Sequence, residues 1–193
     1  MRTLGLLTVL AVAEYPLDPL PRDVPAEGID CAAIEAGLVT YEGSAIRLRP
    51  PARVHPAFVH HLARFERMVD TLARETYGRP PSAIRNGTFR CRPMKRNERR
   101  ISEHALGNAI DVVAFEFARD PSAAPERRRA FSVRIDRHWS ATGDDAVHAC
   151  FLRTLAKRLA GRSDVFRGMI GPSDPDHHDH LHLDMGPWRF ERF

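Results

Sequence analysis

The chain has 193 residues, 43% of them hydrophobic and 28% charged, with a formal net charge of +4. That composition suits one globular domain with material for a proper core, and it excludes a disordered or fibrous chain. The cations are almost all arginine, since Lys95 and Lys157 are the only lysines, and no basic stripe with interleaved aromatics marks a nucleic-acid binder.

Arg2 precedes an apolar run from Leu4 to Ala13, with an Ala11-x-Ala13 exit before Glu14. Residues 1–13 therefore have the pattern of a secretory signal. The run is too short to span a bilayer as a helix; a buried N-terminal strand is the competing reading. Export, to the periplasm or beyond the cell, is the expectation. No later segment is apolar enough to cross a membrane.

Residues 14–54 form a lead-in. Pro16, Pro19, Pro21 and Pro25 favour an extended path at its start, while residues 31–50 allow either a short helix or a hairpin. The three cysteines, Cys31, Cys91 and Cys150, lack C-x-x-C spacing, which argues against a thiolate zinc site. Cys150 falls in a helical pattern and is expected in the core. In an exported protein Cys31 and Cys91 can pair, although the sequence does not fix that pairing.

The main domain, residues 55–193, opens with an amphipathic helix from Pro56 to about Gly78, its apolar face built from Phe58, Leu62, Phe65, Val69 and Leu72. His60 and His61 are expected on or beside its polar face. After the Pro80-Pro81 break, residues 83–91 read as a strand, with a bulge or bend near Asn86-Gly87. Ala109–Phe117 is β-branched and aromatic, so it reads as a buried strand carrying Asp111 near its start. A carboxylate there is costly unless it is paired or bound to a metal. Gly107 and Asn108 supply the tight turn that brings His104 back beside it. Phe131–Ile135 reads as a further strand. Val147, Phe151, Leu155 and Leu159 mark a helix from about Asp144 to Ala160, and Val165–Gly171 is another strand candidate. His138 and His148 are expected to be structural.

Near the C-terminus, residues 177–184 hold four histidines and two aspartates. From His180 to Asp184 polar and apolar residues alternate, the period of a half-buried strand. His180, His182 and Asp184 then share one face, while Leu181 and Leu183 point into a core. Two imidazoles about 6–7 Å apart on one rigid face can serve one metal and its water.

Together these motifs resemble a known family. Phe89-x-Cys91-Arg92, Ser102-Glu103-His104-Ala105-x-Gly107-Asn108-Ala109-Ile110-Asp111, Phe151-Leu152-Arg153, Gly171-Pro172 and His177-x-x-His180-x-His182-x-Asp184 resemble the extensin-like C-terminal family of bacteria. They also look like the zinc peptidases of the lysostaphin, D-Ala-D-Ala carboxypeptidase and murein endopeptidase group. Where the family carries a cysteine shortly before Phe166, this chain has Ser163 and Asp164.

The resemblance implies zinc held by His104, Asp111 and His182, with a fourth position left for water. Three protein ligands and one open position are also what hydrolytic zinc needs. His180, on the face of His182, is the candidate base. His177 is placed to orient the water or hold the oxyanion, and Asp184 to buttress a ligand. Arg92, on the preceding strand, matches the arginine that anchors a substrate carboxylate in these peptidases.

The expected fold is an α+β domain, with helices flanking a small, mostly antiparallel sheet that carries the zinc site. The expected function is hydrolysis of peptide bonds in peptidoglycan by a zinc metallopeptidase of carboxypeptidase or endopeptidase type, with muropeptides as substrates. A non-catalytic, metal-containing module that docks on the cell wall is the alternative.

Overall fold

In chain order, the computed structural model has a 3-10 turn at Ala26–Gly28 and then a short helix, α1 (Cys31–Ala36), which the Asp30 side chain caps by accepting from Ala33 N–H at 3.0 Å. The structure describes residues 15–122 and 128–193, so the signal-like segment 1–13 lies outside it. Three short strands follow, β1 (Val39–Tyr41), β2 (Arg47–Arg49) and β3 (Ala52–Val54).

A 3-10 turn at Pro56–Phe58 leads into α2 (Val59–Tyr77), which stops where Gly78 turns left-handed at φ 74°. Then come β4 (Ala83–Gly87), the hairpin pair β5 (Pro93–Met94) and β6 (Asn97–Ile101), and the long β7 (Ala109–Phe117). The chain continues through β8 (Phe131–Arg134), the one-turn α3 (Ile135–His138), α4 (Ala146–Leu159), β9 (Gly168–Ile170), β10 (Leu181–Asp184) and β11 (Phe190–Arg192).

Among the described residues, seven strands form one mixed sheet in the order β11-β9-β10-β7-β4-β2, with β8 also paired to β7. The pairs β9–β11 and β2–β4 are parallel and the others antiparallel. The fold is thus mixed α and β around a mostly antiparallel sheet. That sheet is larger than its short, scattered strand patterns suggest.

β7 organises the core. Ile110 and Val112 point inward, and so do Phe115 and Phe117, two pairs out of phase with one another. A register shift against β4, between Arg85 and Asn86, leaves Val113 without a partner and resets the alternation. The irregularity anticipated near Asn86-Gly87 is therefore real, with its extra residue on β7. Leu62, Phe65 and Val69 of α2, and Phe151, Leu152 and Leu155 of α4, complete the same core.

The lead-in belongs to this core as well, since Tyr15, Leu17, Ile46, Leu48, Ala52 and Val54 are buried in it. Glu66 of α2 is fully buried and makes up for lost hydration by accepting the N–H groups of Ser44, Ala45 and Ile46.

Several expectations need correction. Cys150 is exposed rather than in the core, because α4 turns Ala149, Phe151, Leu152 and Leu155 inward. Val147 is exposed too. His61 is buried rather than on the polar face of α2, packed edge-on against Tyr15. β4 ends at Gly87, so residues 88–91 are not strand. Thr88 turns its carbonyl to His104, and Cys91 is bonded to Cys31 across a Cα–Cα distance of 5.8 Å.

Candidate metal centre

Sheet pairing builds the first half of the site. In the β7–β10 ladder His182 lies directly opposite Asp111. Leu181 and Leu183 anchor β10 in the core, so the alternate residues His182 and Asp184 project from the other face. Asp111 shares that face, since its neighbours Ile110 and Val112 point inward.

A turn supplies the third group. Residues 102–107 close on themselves through Ala105 N–H to Ser102 carbonyl (2.9 Å) and Gly107 N–H to His104 carbonyl (3.1 Å). Gly107 sits at φ 64°, and its carbonyl accepts from His55 N–H at 2.9 Å. A Cβ there would approach His55 N to 2.7 Å, so only glycine fits. Glu103 clamps the turn from below, accepting from Arg22 Nε at 2.7 Å and from Asn108 Nδ2 at 2.6 Å. Tyr15 donates its hydroxyl to the Asn108 side chain. Residues 15–22 thereby hold the motif turn in place.

The result is a nearly equilateral triangle. His104 Nε2 lies 3.0 Å from Asp111 Oδ1 and 3.1 Å from His182 Nδ1, which is itself 3.1 Å from Asp111 Oδ1. The outward nitrogens are committed elsewhere. His104 Nδ1 donates to the Thr88 carbonyl at 2.7 Å, and His182 Nε2 to Asp184 Oδ2 at 2.9 Å. In the neutral form each ring would present a lone pair to the centre of the triangle, alongside a carboxylate oxygen.

Three electron-rich atoms so close together call for positive charge. Burial raises the Asp111 carboxyl, yet hydrogen bonds from His104 and His182 outweigh it and hold the group well below the usual carboxylate range. Burial lowers His182, but bonding to Asp111 and Asp184 overrides this and pushes it up to about 10. A proton on His182 is one way to balance the trio; a metal cation is the other. His104, Asp111 and His182 form a group that can hold a metal, with ligand atoms within 4.8 Å of one another.

The trio opens into a cleft of about 390 Å³. His177 and His180 line it, with ring centroids 4.9 Å apart. His180 stands one residue before β10 begins, yet its Nε2 still reaches to 3.5 Å from Asp111 Oδ1. Its Nδ1 is bonded to Asp179 Oδ1 at 2.7 Å, so that carboxylate holds the ring. His177 Nδ1 donates to Asp174 Oδ1 at 3.0 Å. Burial draws the His177 ring below its ordinary value despite Asp174, which favours the neutral ring with a lone pair at Nε2.

Arg92 also lines the cleft, from the segment after β4 rather than from the strand itself. Its Nη1 bonds the Pro93 carbonyl at 3.1 Å, and among the described residues it has no acidic partner. The outer rim carries the exposed side chains Met94, Trp188 and Phe190.

Two residues escaped sequence reasoning. The Thr88 carbonyl has no side-chain signature. Asp174 does have one, since an Asp directly before Pro175 is a helix-cap pattern, and it caps the 3-10 turn Pro175–His177.

The family model described as Extensin-like protein C-terminus matches residues 7–192. Among curated proteins and solved structures, none matches the chain.

Proposed function

The chain belongs to the extensin-like C-terminal family, and from that premise and the geometry of the cleft we propose that it is a zinc-dependent hydrolase of peptide bonds in peptidoglycan. The convergence of His104 Nε2, Asp111 Oδ1 and His182 Nδ1 carries this reading. Two imidazoles and a carboxylate make a borderline-soft set suited to zinc. Their separations of 3.0–3.1 Å approach the roughly 3.3 Å between neighbouring ligands of a tetrahedral zinc with bonds of about 2.0–2.1 Å.

When bound, zinc supplies Lewis-acid polarisation of a carbonyl and brings the pKa of water down to about 7. The other roles fall to the protein. Asp179 holds His180 by Nδ1, so Nε2 is free to take a proton from the attacking water and return it to the leaving amine. His177 accepts at Nε2 and orients that water. Arg92, which has no acidic partner among the described residues, binds a substrate carboxylate. The Cys31–Cys91 disulfide supports an oxidising compartment, in keeping with export through a signal at residues 1–13.

Incubation of the purified protein with muropeptides, with and without a chelator, tests the proposal. Peptide release that the chelator abolishes and zinc restores is expected. A metal-loaded protein that binds muropeptides and cleaves none would favour the docking module instead.

A further inference from the structure

Asp174 is 4% exposed, and five N–H groups converge on its two oxygens. Asp176 N–H and His177 Nδ1 each reach Oδ1 at 3.0 Å. Arg192 of β11 reaches Oδ2 at 3.0 Å, and Arg96 spans both oxygens at 3.4 Å. Arg96 stands in the turn of the β5–β6 hairpin, which contributes Met94, Lys95 and Arg96 to the cleft lining. Its Nε also donates to Asp176 at 2.7 Å, so the hairpin tip is tied to the segment that carries His177.

Capping a turn requires one acceptor oxygen, which a serine supplies as well as an aspartate does. The remaining contacts of Asp174 exceed that need. The contact at His177 Nδ1 decides which ring nitrogen carries the proton, and the contacts to Arg96 place the hairpin. Each of the other three histidines of the cleft likewise has one nitrogen committed: His104 to Thr88, His182 to Asp184 and His180 to Asp179. Such partners fix ring orientation and tautomer, and their loss typically costs about 10–100-fold in function.

We propose that Asp174 is a positioning residue that fixes His177 as its Nδ1–H tautomer, with Nε2 toward the cleft, and couples that ring to the β5–β6 hairpin through Arg96. The purpose of this arrangement rests on the hydrolase reading. The arrangement itself does not.

Long-range 1H–15N correlation of histidine-labelled protein, with and without zinc, reads the tautomer directly. Wild-type His177 should appear as the Nδ1–H form. Asp174→Ser keeps a cap for Asp176 N–H but is too short to hold the ring, so the signal should move toward the Nε2–H form. An Nε2–H signal in the wild type would overturn the proposal even if the variant failed to fold. So would an unchanged tautomer in a folded Asp174→Ser protein. Arg96→Gln should leave the tautomer alone and speed amide exchange at residues 97–101 by about tenfold or more; unaltered exchange there would refute the coupling to the hairpin. Both readouts need no substrate, so a protein that cleaves nothing leaves the positioning role standing. Cleavage of muropeptides by a protein whose His177 tautomer ignores Asp174 would sink the positioning role alone.

Discussion

His182 and Asp111 face each other as direct partners in the β10–β7 ladder, with His182 Nδ1 3.1 Å from Asp111 Oδ1. Sheet register sets this contact, so it is fixed as firmly as the core on which Leu181, Leu183, Ile110 and Val112 are packed. His104 comes instead from a turn that depends on Gly107 and on the Arg22–Glu103 pair. Disturbing the supports of this trio should therefore be as informative as mutating its members.

Gly168 of β9 is one such support. A Cβ at this position would lie 2.3 Å from Asp184 Oδ2, the oxygen that holds His182 Nε2. Gly168→Ala should displace Asp184, loosen His182 and weaken metal binding by about 10–100-fold while leaving the circular-dichroism spectrum intact. Competition with a chromogenic chelator measures this. Unchanged affinity in a folded variant would mean that Asp184 does not support the site.

The sequence carries the site's two halves plainly and the remainder poorly, for physical reasons. Ala109–Phe117 and the alternation around His182 are local patterns, and the strands they predict pair with each other. The Gly107 turn is a local steric demand. By contrast, His61 is buried because Tyr15 and the Asp164 carbonyl reach it from distant parts of the chain, which no helical periodicity records. The prolines of the lead-in describe only its backbone, whereas Tyr15 and Arg22 are bonded to Asn108 and Glu103, more than eighty residues away. Asp174 has a short-range signature as a cap, yet its bonds to Arg96 and Arg192 are tertiary.

His61 should give the fold an acid-sensitive limb. Burial, with His60 beside it, lowers its pKa to about 4; Nδ1 donates to the Asp164 carbonyl while Nε2 is buried without a partner among the described residues. The unfolded chain binds this proton near the ordinary pKa of about 6.5, whereas the folded chain stays neutral until about 4. The contribution is thus fully present above about 6.5 and is lost as pH falls toward 4, at up to about 1.4 kcal/mol per unit. Urea unfolding at about pH 7.5 and about pH 4.5 should show the wild type losing roughly 2–3 kcal/mol more than His61→Leu. Equal losses would contradict this assignment.

The Cys31–Cys91 bond closes a loop with a sequence separation of 60. Chain entropy puts its contribution at about 4 kcal/mol. The Cys31→Ser/Cys91→Ser double variant should unfold at correspondingly lower denaturant. A fall below about 1 kcal/mol would show that other contacts already order this segment.

His180 separates base from ligand. His180→Ala should cut muropeptide hydrolysis by about 10²–10⁴-fold while zinc is retained, because three protein ligands remain. A variant that loses zinc as readily as His182→Ala would make His180 a ligand instead.

The central claim is that His104, Asp111 and His182 hold one zinc ion. Elemental analysis of zinc-reconstituted, gel-filtered protein addresses it most directly. The wild type should carry about one equivalent and folded His104→Ala close to none, since two remaining donors hold the ion too weakly to survive filtration. Zinc content in His104→Ala equal to that of the wild type would contradict the account.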